Sequence, residues 1–193
     1  MHRPRLLAAG LLAGAAALFA GPPGHAQIVE LDLEGMMELA DGAVHGTVVA
    51  SRAFRVDPPV DGPELFFTTL TLEGRDLATG RAVVVDVTLH GGWVSPTEGC
   101  FNSEAPAAQD MKLGNEVVAF YAWTEDMGGE VRGNALLAGH GGLYRTVPGP
   151  RGATVLGRGA GYAVDANLRV NDLGKAVARL HRDKLDGERP EKR

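Results

Sequence analysis

One cysteine, Cys100, and six histidines are the side chains of this 193-residue chain whose chemistry depends most on their neighbours. A cysteine nucleophile needs a thiolate and a base beside it, and His90 or His140 would have to reach Cys100 through folding. That combination gives the alternative reading, a small cysteine-dependent hydrolase using Cys100 with His90 or His140. No recognisable signature flanks Cys100, and a lone cysteine in such a stretch is more often a packed or incidental thiol.

Metal chemistry would draw on His45, His90, His140 and acids such as Asp86 or Glu98. No two histidines stand at the i, i+4 or short-loop spacing of a readable metal site, so no metal is expected. His90 closes a strand-like run before Gly91-Gly92, and His140 sits between glycines, which suits polar turn residues. After residue 26 the serines are Ser51, Ser95 and Ser103, and none occupies the Gly-X-Ser-X-Gly elbow that presents a hydrolase nucleophile. The run Gly157-Arg-Gly-Ala-Gly-Tyr162 imitates a dinucleotide loop, but Tyr162 replaces the third glycine and no βαβ unit surrounds it. It reads as a flexible loop, and no cofactor is implied. For ligand or partner binding the candidates are Trp93, His90 and His140, with Trp93 as an exposed anchor. Tyr121 and Trp123 read as core.

These residues must be positioned by β structure. Leu65–Glu73 and Ala82–His90 alternate apolar and polar residues, the period of half-buried strands, and Gly74–Gly80 joins them as a hairpin. In the second run Val83, Val85, Val87 and Leu89 form the predicted core face. Residues 33–40 carry Leu33, Met36, Met37 and Ala40 at helical spacing, with Asp41-Gly42 closing the helix through a left-handed glycine. Ala43–Phe54 reads as a long strand in which Gly46 marks a bulge or close packing point. The prolines of Arg55–Pro63 make a surface loop, and 91–111 reads as a long irregular connection.

Asn115–Trp123 is apolar on both faces and therefore central. Val131–Ala138 and Leu143–Val147 add two strands joined by Gly139–Gly142. Leu173, Ala176, Val177 and Leu180 predict a helix over 172–183, with Asn171-Asp172 as its cap. The fold class is mainly β: a small antiparallel β-barrel, OB-like, with a short N-terminal helix and a C-terminal helix.

Residues 1–26 have a basic start, an apolar stretch of about 15 residues and small residues at a cleavage position, which is a secretory signal peptide rather than a membrane span of about 20. Cleavage is expected after Ala26, with the bond after Ala20 as second choice. Its removal takes away two arginines and no acid and moves the formal net charge from −5 to −7. An acidic surface excludes nucleic acid as a partner. No stable membrane insertion is expected after cleavage. A lone cysteine in an exported chain makes no internal disulfide, so the core must hold the fold. Residues 27–185 form one barrel-like domain and 186–193 a disordered tail.

The succession Leu39–Val48, Thr68–Leu72, His90–Gly92, Leu113–Phe120 and Gly139–Arg145 resembles a group of uncharacterised exported bacterial proteins in which a short helix precedes a small OB-like barrel. The resemblance spans about residues 33–147 and implies a fold without supplying catalytic residues. Leu77-Ala-Thr-Gly80 stands where that group has Leu-Lys-Gly, and the C-terminal helix is a further departure. The leading reading is an exported, non-enzymatic binding or interaction module, periplasmic or extracellular, whose partner is a protein or a small envelope ligand. The Cys100 hydrolase is the alternative, and ligand sequestration inside the barrel is a third reading.

Overall fold

The computed structural model describes residues 31–57 and 62–187. The expected signal peptide and cleavage site lie outside these residues, as does most of the expected tail. Helix α1 (Leu33–Leu39) starts at Asp32, whose carboxylate accepts the Gly35 N–H at 2.8 Å, and it buries Met36 and Met37. The strands are β1 (Gly42–Val56), β2 (Leu65–Asp76), β3 (Ala82–His90), β4 (Gly92–Ser95), β5 (Glu98–Cys100), β6 (Glu116–Thr124), β7 (Gly133–Leu136), β8 (Leu143–Val147), β9 (Thr154–Val155) and β10 (Leu168–Arg169). A single 3₁₀ turn, Gly139–Gly142, lies between β7 and β8, and α2 (Val170–Gly187) ends the described chain.

The predicted hairpin is β2–β3, with register partners from Phe67 and His90 to Arg75 and Ala82. Five strands close a barrel in the order β1-β2-β3-β7-β6, and β6 returns to β1 through Gly42–Thr47 against Tyr121–Glu116. The ladders are antiparallel except at the closure of β3 on β7, a parallel pairing at Thr88 and Ala135 that corrects the wholly antiparallel expectation. Strand β1 is the common wall, because Val44–Thr47 pair with β2 on one side and β6 on the other.

Gly46 and Gly74 face each other across β1 and β2. A Cβ at Gly46 would lie 2.8 Å from the Glu73 carbonyl oxygen, and one at Gly74 would overlap the His45 carbonyl. Gly46 is therefore the close packing point of the two alternatives the sequence offered. The bulge falls later, between Val48 and Ala50, and bends β1 around the barrel.

Two apolar layers share β1 and β6. Inside the barrel Val44, Val48, Leu70, Leu72, Val87 and Val117 pack together with Leu89 and Leu143. Outside, Val118 and Phe120 of β6 lie beneath Met36, Tyr144, Leu173 and Val177, which brings both helices onto the barrel wall. Phe120 meets Tyr144 edge to face at 6.1 Å. Lys184 of α2 donates to the Glu38 and Ala40 carbonyls at 3.0 Å each, holding the free end of α1.

Several local expectations change. Gly42 opens β1 rather than closing α1 in a left-handed turn, and it is glycine because the Tyr121 ring occupies the space of a Cβ. Helix α2 begins two residues early, and Asp172 pairs with Arg169 at 2.6 Å instead of capping. Asp186 and Gly187, assigned to the tail, belong to α2. Within 91–111 lies the hairpin β4–β5, whose Pro96-Thr97 turn joins strands too short to show a period. Trp123 is 54% exposed, its indole donating to Glu125 at 3.1 Å, and Tyr121 is only partly buried, so neither is a full core residue.

Gly74→Ala must push β1 and β2 apart, and we expect a loss of about 2 kcal/mol or more in urea unfolding, against a smaller loss for Ala at the open Gly80 turn. Gly80 has φ +70, so its own loss is backbone strain alone. A second expectation concerns His45, whose ring lies 3.5 Å from Thr146 Oγ1 and 4.0 Å from Glu116. Burial lowers its pKa and Glu116 opposes this, with burial the larger influence. The folded state thus prefers neutral His45, so its contribution is present above the ordinary value of about 6.5 and is lost as pH falls below it. The urea midpoint should drop between about pH 7.5 and 5.5, and His45→Gln should flatten that part of the profile.

Candidate functional site

Two concavities mark the described surface. The larger, about 620 Å³, lies on the outside of β1–β3 against Thr47, Val49, Glu73, Arg75 and Val84. It carries one acid, one base and no aromatic side chain. The second, about 480 Å³, is a groove at the end of the barrel, and it gathers most of the residues that the sequence singled out. Its floor is Thr68 and Leu89 of the β2–β3 hairpin with Met111. Trp93, Phe101 and Pro106 to Ala108 form apolar walls, and Cys100, Asn102, His140 and Arg158 supply polar atoms.

The turn from β3 into β4 sets Trp93. Gly91 (φ +91) and Gly92 (φ +139) adopt backbone conformations that favour glycine, and Thr68 Oγ1 donates to the Gly91 carbonyl at 2.7 Å. A Cβ at Gly99 on the facing strand would lie 2.8 Å from Trp93 Cδ2, so the indole rests over bare backbone. Trp93 is 57% exposed, as expected of an anchor. Phe101, just after β5, is 78% exposed. Asn102 fixes the loop between them by donating to the His90 carbonyl at 3.0 Å and accepting the Glu104 N–H at 2.9 Å.

The groove brings together Trp93, Cys100 and His140 but not His90. Strand parity is the reason: Leu89 faces the groove, while His90 turns to the other face and its ring lies 4.8 Å from Phe67. Phe67 is itself buried on that face, between His90 and Phe54, whose ring is 5.5 Å away. His140 is held by the Tyr162 hydroxyl at 2.9 Å from Nε2 and by its backbone N–H on the Glu104 carbonyl. The exposed Cys100 thiol donates a weak bond to its neighbour's carbonyl, Phe101 O, at 3.6 Å. Among the described residues no histidine hydrogen-bonds to Cys100, and no three His, Cys, Asp or Glu side chains gather as a metal centre requires.

Arg158, dismissed with its glycine-rich run, is the residue sequence reasoning missed. The run is anchored rather than free: the Arg158 N–H donates to the Val164 carbonyl and the Gly159 N–H to the Asp165 carbonyl. The guanidinium donates to the Leu143 carbonyl at 2.8 Å, lies 3.4 Å from Asp110 and stacks over Tyr144 at 5.6 Å. Its buried Nε has no hydrogen-bond partner. An arginine alone among glycines was the available signal. Phe101 and Met111 were hidden in a stretch read as loop.

Comparison of the chain with protein-family models, with curated proteins and with solved structures gave no match. Geometry therefore carries the reading of the groove. Because Cys100 is exposed and unpaired with a base, thiol labelling should proceed on the folded protein without denaturant, and its rate should not change in His140→Ala. A rate that collapses in that variant would reveal a dyad.

Proposed function

We propose that the chain is an exported, non-enzymatic binding or interaction module of the bacterial cell envelope, and that its ligand occupies the groove beside Trp93. The observation that carries this reading is the pair of exposed aromatic side chains, Trp93 and Phe101, flanking a groove of about 480 Å³. Large apolar side chains left in water around a concave site are the usual mark of a binding surface. Val44, Leu70, Leu72, Val87 and Val117 fill the barrel interior, which favours a site outside the barrel over sequestration within it.

The closed five-stranded order supports the OB-type reading of the barrel, and such barrels bind ligands along strands 2 and 3 and the adjoining loops. The groove here borders the end of those strands through Thr68 of β2 and Leu89 of β3. This support is an analogy of fold. Hydrolysis would need a base on Cys100, and His140 is instead engaged with Tyr162.

The test is to express the whole chain in a bacterial host, recover it from the envelope fraction and titrate it with small apolar fragments by NMR. The exported protein should begin at Gln27, and the shifts should cluster on Trp93, Phe101 and Met111. Trp93→Ala with Phe101→Ala should abolish those shifts while changing stability by no more than about 1 kcal/mol, because both side chains are exposed. Retention in the cytoplasm with residues 1–26 intact would defeat the export reading, and shifts scattered over the surface would defeat the groove.

A further inference from the structure

We propose that the groove takes a small amphipathic carboxylate, an acyl or aryl group ending in an anionic head, an assignment that rests on reading the groove as the binding site. Charge at the groove runs opposite to charge on the chain. The whole sequence has a formal net charge of −5, yet the groove lining contains Arg158 and His140 and no aspartate or glutamate. A cavity lined by one sign of charge concentrates ligands of the other.

Arg158 supplies the head-group contact. One of its terminal nitrogens, Nη2, is fixed on the Leu143 carbonyl, and Asp110 stands 3.4 Å away. Asp110 is shared with Arg145 at 3.9 Å, so two guanidinium groups face one carboxylate and the cluster keeps a surplus positive charge. The Nε donor is left without a partner, an uncommon state for a buried polar atom. The side chain as a whole is 26% exposed and lines the groove, and a braced guanidinium open in part to the groove suits a planar carboxylate. The apolar part of the ligand lies along Leu89, Met111, Trp93 and Phe101, all of which line the groove. A neutral apolar molecule would leave Arg158 unanswered, and a cation would meet like charge.

The experiment compares decanoate, decan-1-ol and decyltrimethylammonium by calorimetry on the exported chain at low salt, each below its aggregation threshold. Decanoate should bind at least about tenfold more tightly than decan-1-ol, an advantage that salt reduces and Arg158→Gln removes. Because Arg158 also braces Leu143, circular dichroism must verify that variant, and Trp93→Ala serves as a second variant that leaves the brace intact. Trp93→Ala should weaken decanoate and decan-1-ol alike and keep the ratio between them. Equal affinity for decanoate and decan-1-ol, both lost in Trp93→Ala, would overturn the anionic head group while leaving the groove reading in place. Tighter binding of decyltrimethylammonium would also overturn it. Binding of none of the three overturns this inference, and the fragment titration then decides separately whether the groove binds at all.

Discussion

The close approach of two backbones at Gly46 and Gly74 is the constraint on which the barrel depends. Strand β1 must pair with β2 on one edge and with β6 on the other over Val44–Thr47, and it can do so only if nothing stands between it and β2 at that point. The bulge after Val48 then bends the rest of β1 around the barrel. A barrel of five strands leaves an interior just large enough for aliphatic side chains, and valines and leucines fill it. With the interior filled, the binding site we propose lies at the barrel's end.

The second constraint is that over Val117–Phe120 β6 has no face for water. Val117 and Ala119 pack inside the barrel while Val118 and Phe120 must be covered from outside, and α1 and α2 provide that cover. Tyr144 links this layer to the groove. Its ring meets Phe120, its hydroxyl accepts the Val164 N–H at 3.4 Å, and Arg158 stacks on its face. The loop carrying Arg158 therefore closes the helical layer and braces the groove at once. Tyr162 of the same loop holds His140. Gly157 lies close to other backbone, where a Cβ would sit 2.5 Å from the Ala166 carbonyl carbon, whereas Gly159 (φ +101) and Gly161 (φ +87) take backbone conformations that favour glycine.

Electrostatics and packing divide the groove into two ends. Trp93 and Phe101 stand in water over an apolar floor, whereas Arg158 is partly buried and constrained by Leu143 and Asp110. The aromatic end tolerates substitution and the guanidinium end does not, because removing Arg158 would leave Asp110 with only Arg145, 3.9 Å away, and the Leu143 carbonyl without this donor. In the proposed site, stability and binding are coupled at one end and separable at the other.

Periodicity by itself determined the strands that make the barrel, since alternation over 65–90 and two apolar faces over 115–123 follow directly from which side of a strand meets the core. It also determined the helix stripe at Leu173 and Val177, and it picked out Trp93, in a stretch without period, as an exposed side chain. Local pattern carries no information about closure. The parallel meeting of β3 and β7, the pairing of Gly46 with Gly74, and the convergence of Trp93, Cys100, His140 and Arg158 join residues tens of positions apart, so only the tertiary structure decided them. It also parted His90 from Cys100, because one step along a strand reverses the direction of a side chain.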